Sequence, residues 1–286
     1  MQGLRALIAL FLLSISFFTP AEDAADAYFW YDIPQSKLVY VQTAHGQVVI
    51  ALTDSIAPHH VARFTHLVKQ GFYNNRYFYR VLEGFVAQAG SNSTHKLTES
   101  TLPLKPEFTA MAVEGFYEVE RNSPNAPVSG FINGFPAGAT PDRQRYWLAH
   151  CPGMVAMARD NSPDTGATEF YIVMGQAPRH LDRNMSIFGR VVAGMDALQK
   201  LPRGDTNNNG MIKDFSENSE LIYAQMGDDL PVRRQRNFKI QLPGHSAYEK
   251  RAEQARTLSS PFFVDDALAP RPVDICYTMT EVVEYE

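Results

Sequence analysis

Short apolar runs with strand spacing dominate the first two thirds of the chain, punctuated by a few stretches with helical spacing. Residues 38–41 and 47–52 are rich in β-branched and apolar side chains and flank His45-Gly46, which predicts a hairpin. Pro58 then stands where a first helical turn tolerates it. Val61, Phe64, Leu67 and Val68 recur on one face, and Gly71 provides a stop, so the spacing predicts an amphipathic helix. Residues 78–90 read as two short strands reversing around Gly84. Arg80 and Gln88 lie four residues either side of that glycine, and a symmetric hairpin makes them cross-strand neighbours with Phe85 and Val86 beside them. From Ser91 to Pro152 the pattern breaks into a long region punctuated by Pro and Gly, with an insert expected around residues 109–150. Its aromatic content predicts an ordered loop packed near the mouth of the pocket. Residues 193–201 predict a second short helix. The remaining tail, 203–286, carries one apolar patch at 221–224 and one helical stretch at 247–258, and is expected to wrap the preceding body as an appendage.

The N-terminus changes the cellular setting. Arg5 enters an apolar run over residues 4–18, shorter than the ~20 residues of a membrane span, and Thr19-Pro20-Ala21 offers small residues for cleavage. Residues 1–21 are therefore expected to be a secretory signal peptide, 22–36 a linker or loosely docked arm, and the mature chain an exported protein, periplasmic in a bacterium, without a membrane span. In an oxidising compartment Cys151 and Cys276, the only cysteines, make one bridge the economical expectation, with two buried free thiols the alternative. Composition is ordinary for a globular protein, at 45% hydrophobic and 20% charged residues. A net charge of −5 argues against nucleic acid as a partner, and the basic run Arg233-Arg234-Gln235-Arg236 reads as a solvated surface.

The chemistry concentrates in the hairpin, which places one cation, one amide and two apolar walls together, a composition that suits a proline ring held against a sheet. The segment resembles the cyclophilin signature, a Phe-x-Arg strand followed by a Phe-x-x-Gln strand. Further blocks in the same order are similar to that family: residues 153–159, residues 167–172, His180-Leu181-Asp182, and residues 187–192. Leu102 to Phe108 adds a Pro-x-Glu-Phe element like that of compact bacterial members. The resemblance implies an all-β protein, a closed eight-stranded barrel capped by two α-helices, over residues 37–202. It further implies a peptidyl-prolyl cis-trans isomerase acting on proline-containing polypeptides without a cofactor. Arg80 and Gln88 take the catalytic positions, and Phe85, Val86, Glu169, Tyr171, His180, Leu181 and Met185 take the substrate-binding ones.

Three positions depart from the family pattern. Met185 stands where histidine is frequent, Glu169 where glutamine is usual, and His180 where tryptophan is frequent, the residue on which the resemblance makes affinity for cyclosporin-type ligands depend. A binding module that holds proline segments with little turnover is the rival reading. No metal site is expected, because His59, His60 and His66 do not form an i, i+4 pair. Residues 205–210 match the first half of a calcium loop, but Lys213 and Ser216 stand where later ligands belong, so a polar turn is expected there. N-terminal sequencing of exported protein should find a start at Glu22 or within a few residues of it, and material that still begins at Met1 would contradict the leader assignment.

Overall fold

A computed structural model describes residues 26–91, 101–213 and 217–286. The expected signal peptide lies outside the described residues. Strands β1 (Trp30–Asp32), β2 (Leu38–Thr43), β3 (Gly46–Leu52), β4 (Arg76–Val81) and β5 (Val86–Ala89) open the fold, with helix α1 (Pro58–Lys69) between the third and fourth. Next come β6 (Phe116–Ser123), β7 (Ala126–Ile132), β8 (Phe135–Ala139), β9 (Tyr146–Leu148), β10 (Met154–Met157), β11 (Phe170–Val173) and β12 (Ile187–Ala193). Helix α2 (Met195–Gln199), β13 (Glu220–Met226), β14 (Asn237–Gln241), α3 (Ser246–Thr257) and β15 (Val282–Tyr285) complete it. Eight strands close into an antiparallel barrel in the order β10-β11-β5-β4-β13-β2-β3-β12.

Alternate residues of these strands fill the barrel. Val39, Val41, Val48, Ile50, Leu52, Phe78, Phe170 and Phe188 face inward, and α1 and α2 plug the ends with Phe64, Leu67, Leu198 and their neighbours. Helix α1 starts at Pro58 with no side-chain cap from Ala57. Its exposed N–H groups are taken by Glu107 of the Pro-x-Glu-Phe element, which accepts from the backbone of His59 (3.2 Å) and His60 (3.0 Å) and from the Nδ1 of each ring.

Three expectations about organisation need correction. The boundary at 202 cuts through the barrel, because β13 lies beyond it and pairs with both β2 and β4. Its Leu221, Ala224 and Met226 join the inner core. The apolar patch of the tail is thus the strand that closes the cylinder. The expected linker is docked, since β1 pairs with β14, and Asp26 accepts hydrogen bonds from the backbone and hydroxyl of Ser246 at the start of α3. The insert is a four-stranded sheet, β6-β7-β8-β9, rather than a loop. Asn133 (φ 49°) and Gly134 (φ 81°) turn β7 into β8 with positive φ at both positions, as a tight hairpin demands. The missing side chain of Gly134 also admits Ile240, which a Cβ would meet at 2.3 Å.

This sheet and the tail cover the outside of the barrel. Leu38, Tyr40, Val49, Ala51, Met154 and Ile187 point outward, and Phe131, Phe135 and Leu148 of the insert, with Phe238, Ile240, Tyr248 and Ile275 of the tail, bury them in a second core. Within it lies Arg190 of β12, across from Ala51 and Met154. Its guanidinium donates to the carbonyl of Gly134 (3.1 Å) and to the hydroxyl (3.0 Å) and carbonyl (2.6 Å) of Thr280. Burial pushes its pKa down to about 10, so it stays charged at neutral pH. A disulfide joins the buried Cys151 to Cys276, 125 residues away in sequence.

Two measurements test these couplings. Arg190→Met keeps the volume but strands the Thr280 carbonyl, and denaturant unfolding should show a loss of about 1–3 kcal/mol, the desolvation penalty of one orphaned group. Reduction of the disulfide should lower stability by as much as ~4–5 kcal/mol in the chain-entropy account of so long a loop. Melting curves that coincide with and without reductant would exclude that contribution.

Candidate active site

The site grows from a bulge in the β4–β5 hairpin. Phe78 pairs with Ala89 and Arg80 with Gln88, so Tyr79 is one residue too many on its strand. That extra residue brings Tyr79 and Arg80 to either side of the Gln88 amide. Arg80 Nη1 donates to Gln88 Oε1 (3.1 Å), and Gln88 Nε2 donates to the Tyr79 hydroxyl (2.6 Å). Tyr79 donates in turn to Glu169 (2.5 Å), whose other oxygen accepts from the backbone and hydroxyl of Ser91, both at 2.6 Å. Burial, then the charge of Glu169, holds the Tyr79 phenol far above its ordinary pKa, so it remains a donor and the direction of the row is fixed.

A second support reaches Arg80 from the turn at 205–210. Asp205 accepts from the backbone of Asn207, and Asn209 (φ 52°) and Gly210 (φ 75°) fold the chain back onto β4. Val81 donates to the Gly210 carbonyl (2.8 Å) and Ile212 to the Tyr79 carbonyl (2.8 Å). The Asn209 carbonyl thereby comes to accept from Arg80 Nε at 2.8 Å. With Nε and Nη1 engaged, Nη2 has no hydrogen-bond partner among the described residues. Burial lowers the guanidinium's pKa, yet from a starting point so high that it stays protonated at neutral pH.

Arg80 borders a cavity of about 180 Å³ lined by Phe85, Val86, Gln88, Ala158, Arg159, Tyr171, Leu181 and Met185. The volume falls below the ~300–1,000 Å³ of a drug-sized ligand site and suits a single apolar ring. Tyr171 stands on β11 directly across from Gln88. A neighbouring cavity of about 390 Å³ shares Gln88, Ala158 and Arg159 and adds Tyr79, Ser91, Thr165 and Glu169.

Of the residues named from sequence, Arg80, Gln88, Phe85, Val86, Tyr171, Leu181 and Met185 meet around the first cavity. Glu169 belongs to the adjoining one. His180 is exposed on a short turn of helix, and the cavity is lined by its neighbour Leu181 instead, because the turn directs successive residues to different sides. Nor does the insert contribute a lining residue, since its sheet covers the barrel wall. Sequence reasoning missed the bulge residue Tyr79 and the carbonyl of Asn209. Arg159 and Asp182 fall within the family blocks, but residue type alone points to no role for them.

The fold is thus a closed antiparallel barrel with two helical plugs that carries a guanidinium beside a ring-sized apolar slot. The family described as cyclophilin type peptidyl-prolyl cis-trans isomerase matches residues 38–218, and the chain belongs to it. A probable peptidyl-prolyl cis-trans isomerase of Brucella suis is 29% identical over 175 residues, which is 61% of this chain and 76% of that protein. Peptidyl-prolyl cis-trans isomerase A of Dickeya dadantii is 26% identical over 70% of this chain and 84% of its own. The crystal structure of cyclophilin AquaCyp293 from Hirschia baltica superposes with a TM-score of 0.70 at 25% identity, covering 91% of this chain and 95% of that one. The family establishes the reaction, cis-trans isomerisation of peptidyl-prolyl bonds.

Proposed function

We propose that Arg80 is the catalytic cation of this isomerase and that the slot beside it captures the proline ring of polypeptide substrates. Rotation about a peptide bond is opposed by ~18–20 kcal/mol because the nitrogen lone pair is conjugated with the carbonyl. As the bond twists, the lone pair localises on the prolyl nitrogen and becomes an acceptor. A guanidinium fixed beside it gains strength only in that twisted state, which is differential binding of the transition state. No proton, nucleophile or metal has to move.

The observation that carries the assignment is the clamping of Arg80. Its Nε and Nη1 are held by Asn209 and Gln88, while the rest of the fork borders the cavity. Phe85, Val86, Tyr171, Leu181 and Met185 supply apolar walls for the ring, and Gln88 fixes the guanidinium. The substrates are proline-containing segments of unfolded or flexible exported proteins, in a bacterium those of the periplasm. This setting rests on the leader in the sequence and agrees with a buried disulfide. Among the described residues no helix is long and apolar enough to cross a membrane.

Arg80→Ala should reduce kcat/KM for isomerisation of a short proline peptide by at least ~10²-fold, the lower end of the loss for one transition-state donor. The measurement is exchange by NMR or a protease-coupled assay, with the melting temperature as a check on folding. A folded variant with near native turnover would remove Arg80 from the mechanism and favour a proline-binding module.

A further inference from the structure

The aromatic wall of the slot hangs from a buried polar chain that the isomerisation chemistry above does not use. Tyr171 is buried, and its hydroxyl lies 2.9 Å from Nε2 of His150, which is itself fully buried. Nδ1 and the backbone N–H of His150 both meet the same oxygen of Asp182, each at 2.9 Å. The other oxygen of Asp182 accepts from Arg179 Nε at 2.8 Å. Arg179 Nη1 continues to Asp274 and lies 3.7 Å from the sulfur of Cys276. Cys276 is bonded to Cys151, the residue next to His150. The chain therefore closes into a ring, with the tail as its outer half and the wall of the slot attached at one point.

We propose that His150, aimed by Asp182, is a positioning residue of the isomerase that holds the Tyr171 hydroxyl and so fixes the wall against which the proline ring packs. The proposal rests on the slot being the proline site. Its logic is one of proton inventory. Burial pushes the Asp182 carboxyl up, but the His150 hydrogen bond and the Arg179 charge outweigh it and hold the group below its ordinary value. It is an ionised acceptor, so Nδ1 of His150 carries the proton. Burial, outweighing the attraction of Asp182 and aided by the charge of Arg179, keeps the ring neutral, and Nε2 is left an acceptor. Burial, followed by the charge of Asp182, keeps the Tyr171 phenol protonated, and it must donate. The hydrogen bonds from Asp182 through His150 to Tyr171 then have one direction each.

That arrangement has a mechanical effect. The ring of Tyr171 is held at its backbone by β11 and at its far end by His150, so it can neither slide nor tilt. Met185 and Leu181, which line the same slot, are flexible apolar side chains, which leaves Tyr171 as its fixed surface. A wall that contacts the ring in the cis, trans and twisted states alike contributes uniform binding, and its loss appears in affinity and not in turnover.

The test is a double-mutant cycle on the full chain with the tetrapeptide Ala-Ala-Pro-Phe, reading peptide affinity by NMR titration and catalysed exchange under saturation. His150→Ala should weaken affinity ~10-fold, the lower end for removing a residue that orients a contact, with saturated exchange changed less than about threefold. His150→Gln, whose amide offers an N–H to Asp182 and an oxygen to Tyr171, should restore affinity to within about threefold of native. In a Tyr171→Phe background, His150→Ala should have little further effect. Equal loss in both backgrounds, or a folded His150→Gln variant as weak as His150→Ala, would overturn the proposal. Should His150→Ala fail to fold, Tyr171→Phe alone decides, with ~10-fold weaker binding supporting the role and native affinity overturning it. The assignment of Arg80 is read separately, since its removal acts on exchange and leaves affinity measurable.

Discussion

A charged guanidinium, buried without a carboxylate partner among the described residues, governs how the three parts of this chain are assembled. Arg190 sits on the outer wall of the barrel and is satisfied only by oxygens from the insert, at Gly134, and from the tail, at Thr280. A buried charge lacking its hydrogen bonds is strongly unfavourable, so either segment leaving its place would expose the barrel wall and strand the cation together. The apolar residues around Arg190 supply the bulk of the attraction, and the guanidinium supplies the register. Insert, tail and barrel consequently form one body with two cores, one inside the cylinder and one against its side.

The catalytic assignment uses the same device on a smaller scale. Arg80 has its fork oriented by an amide from β5 and a carbonyl from a turn well over a hundred residues later. Both contacts occupy nitrogens that do not have to reach substrate. A row of side chains from Gln88 to Ser91 then fixes which way the amide faces. Since amide rotation requires only that charge be placed correctly, rigidity of this kind is most of what the protein has to provide.

The inner barrel and the floor of the slot were legible in sequence because they depend on local spacing. The hairpin about Gly84, the helix face from Val61 to Val68 and the apolar residues near Arg80 all follow from periodicity and turn chemistry, and the family blocks supplied the order. The outer layer was harder to read. Leu38-Val39-Tyr40-Val41 is apolar on both faces, a sign that the outside of the strand is covered too, and Asn133-Gly134 between apolar runs is a strong hairpin signal. Both were present but pointed to no partner. The bulge at Tyr79, the carbonyl of Asn209 and the exposure of His180 leave no trace in residue type, since they depend on backbone path. Leu221-Ile222-Tyr223-Ala224 was visible as an apolar patch, but only its pairing with β2 and β4 identifies it as part of the barrel.

That late strand bears on how the protein is made. Synthesis runs from the N-terminus, so β2 and β4 emerge with the gap between them still open, and the turn that grips Arg80 arrives just before the strand that fills it. A nascent chain shorter than about residue 226 therefore possesses every side chain of the slot without a finished cylinder to hold them. Through that interval its unpaired strand edges are open to other chains. An enzyme that acts on the backbone of other chains is thus, for most of its own emergence, exposed at its own backbone to pairing with them.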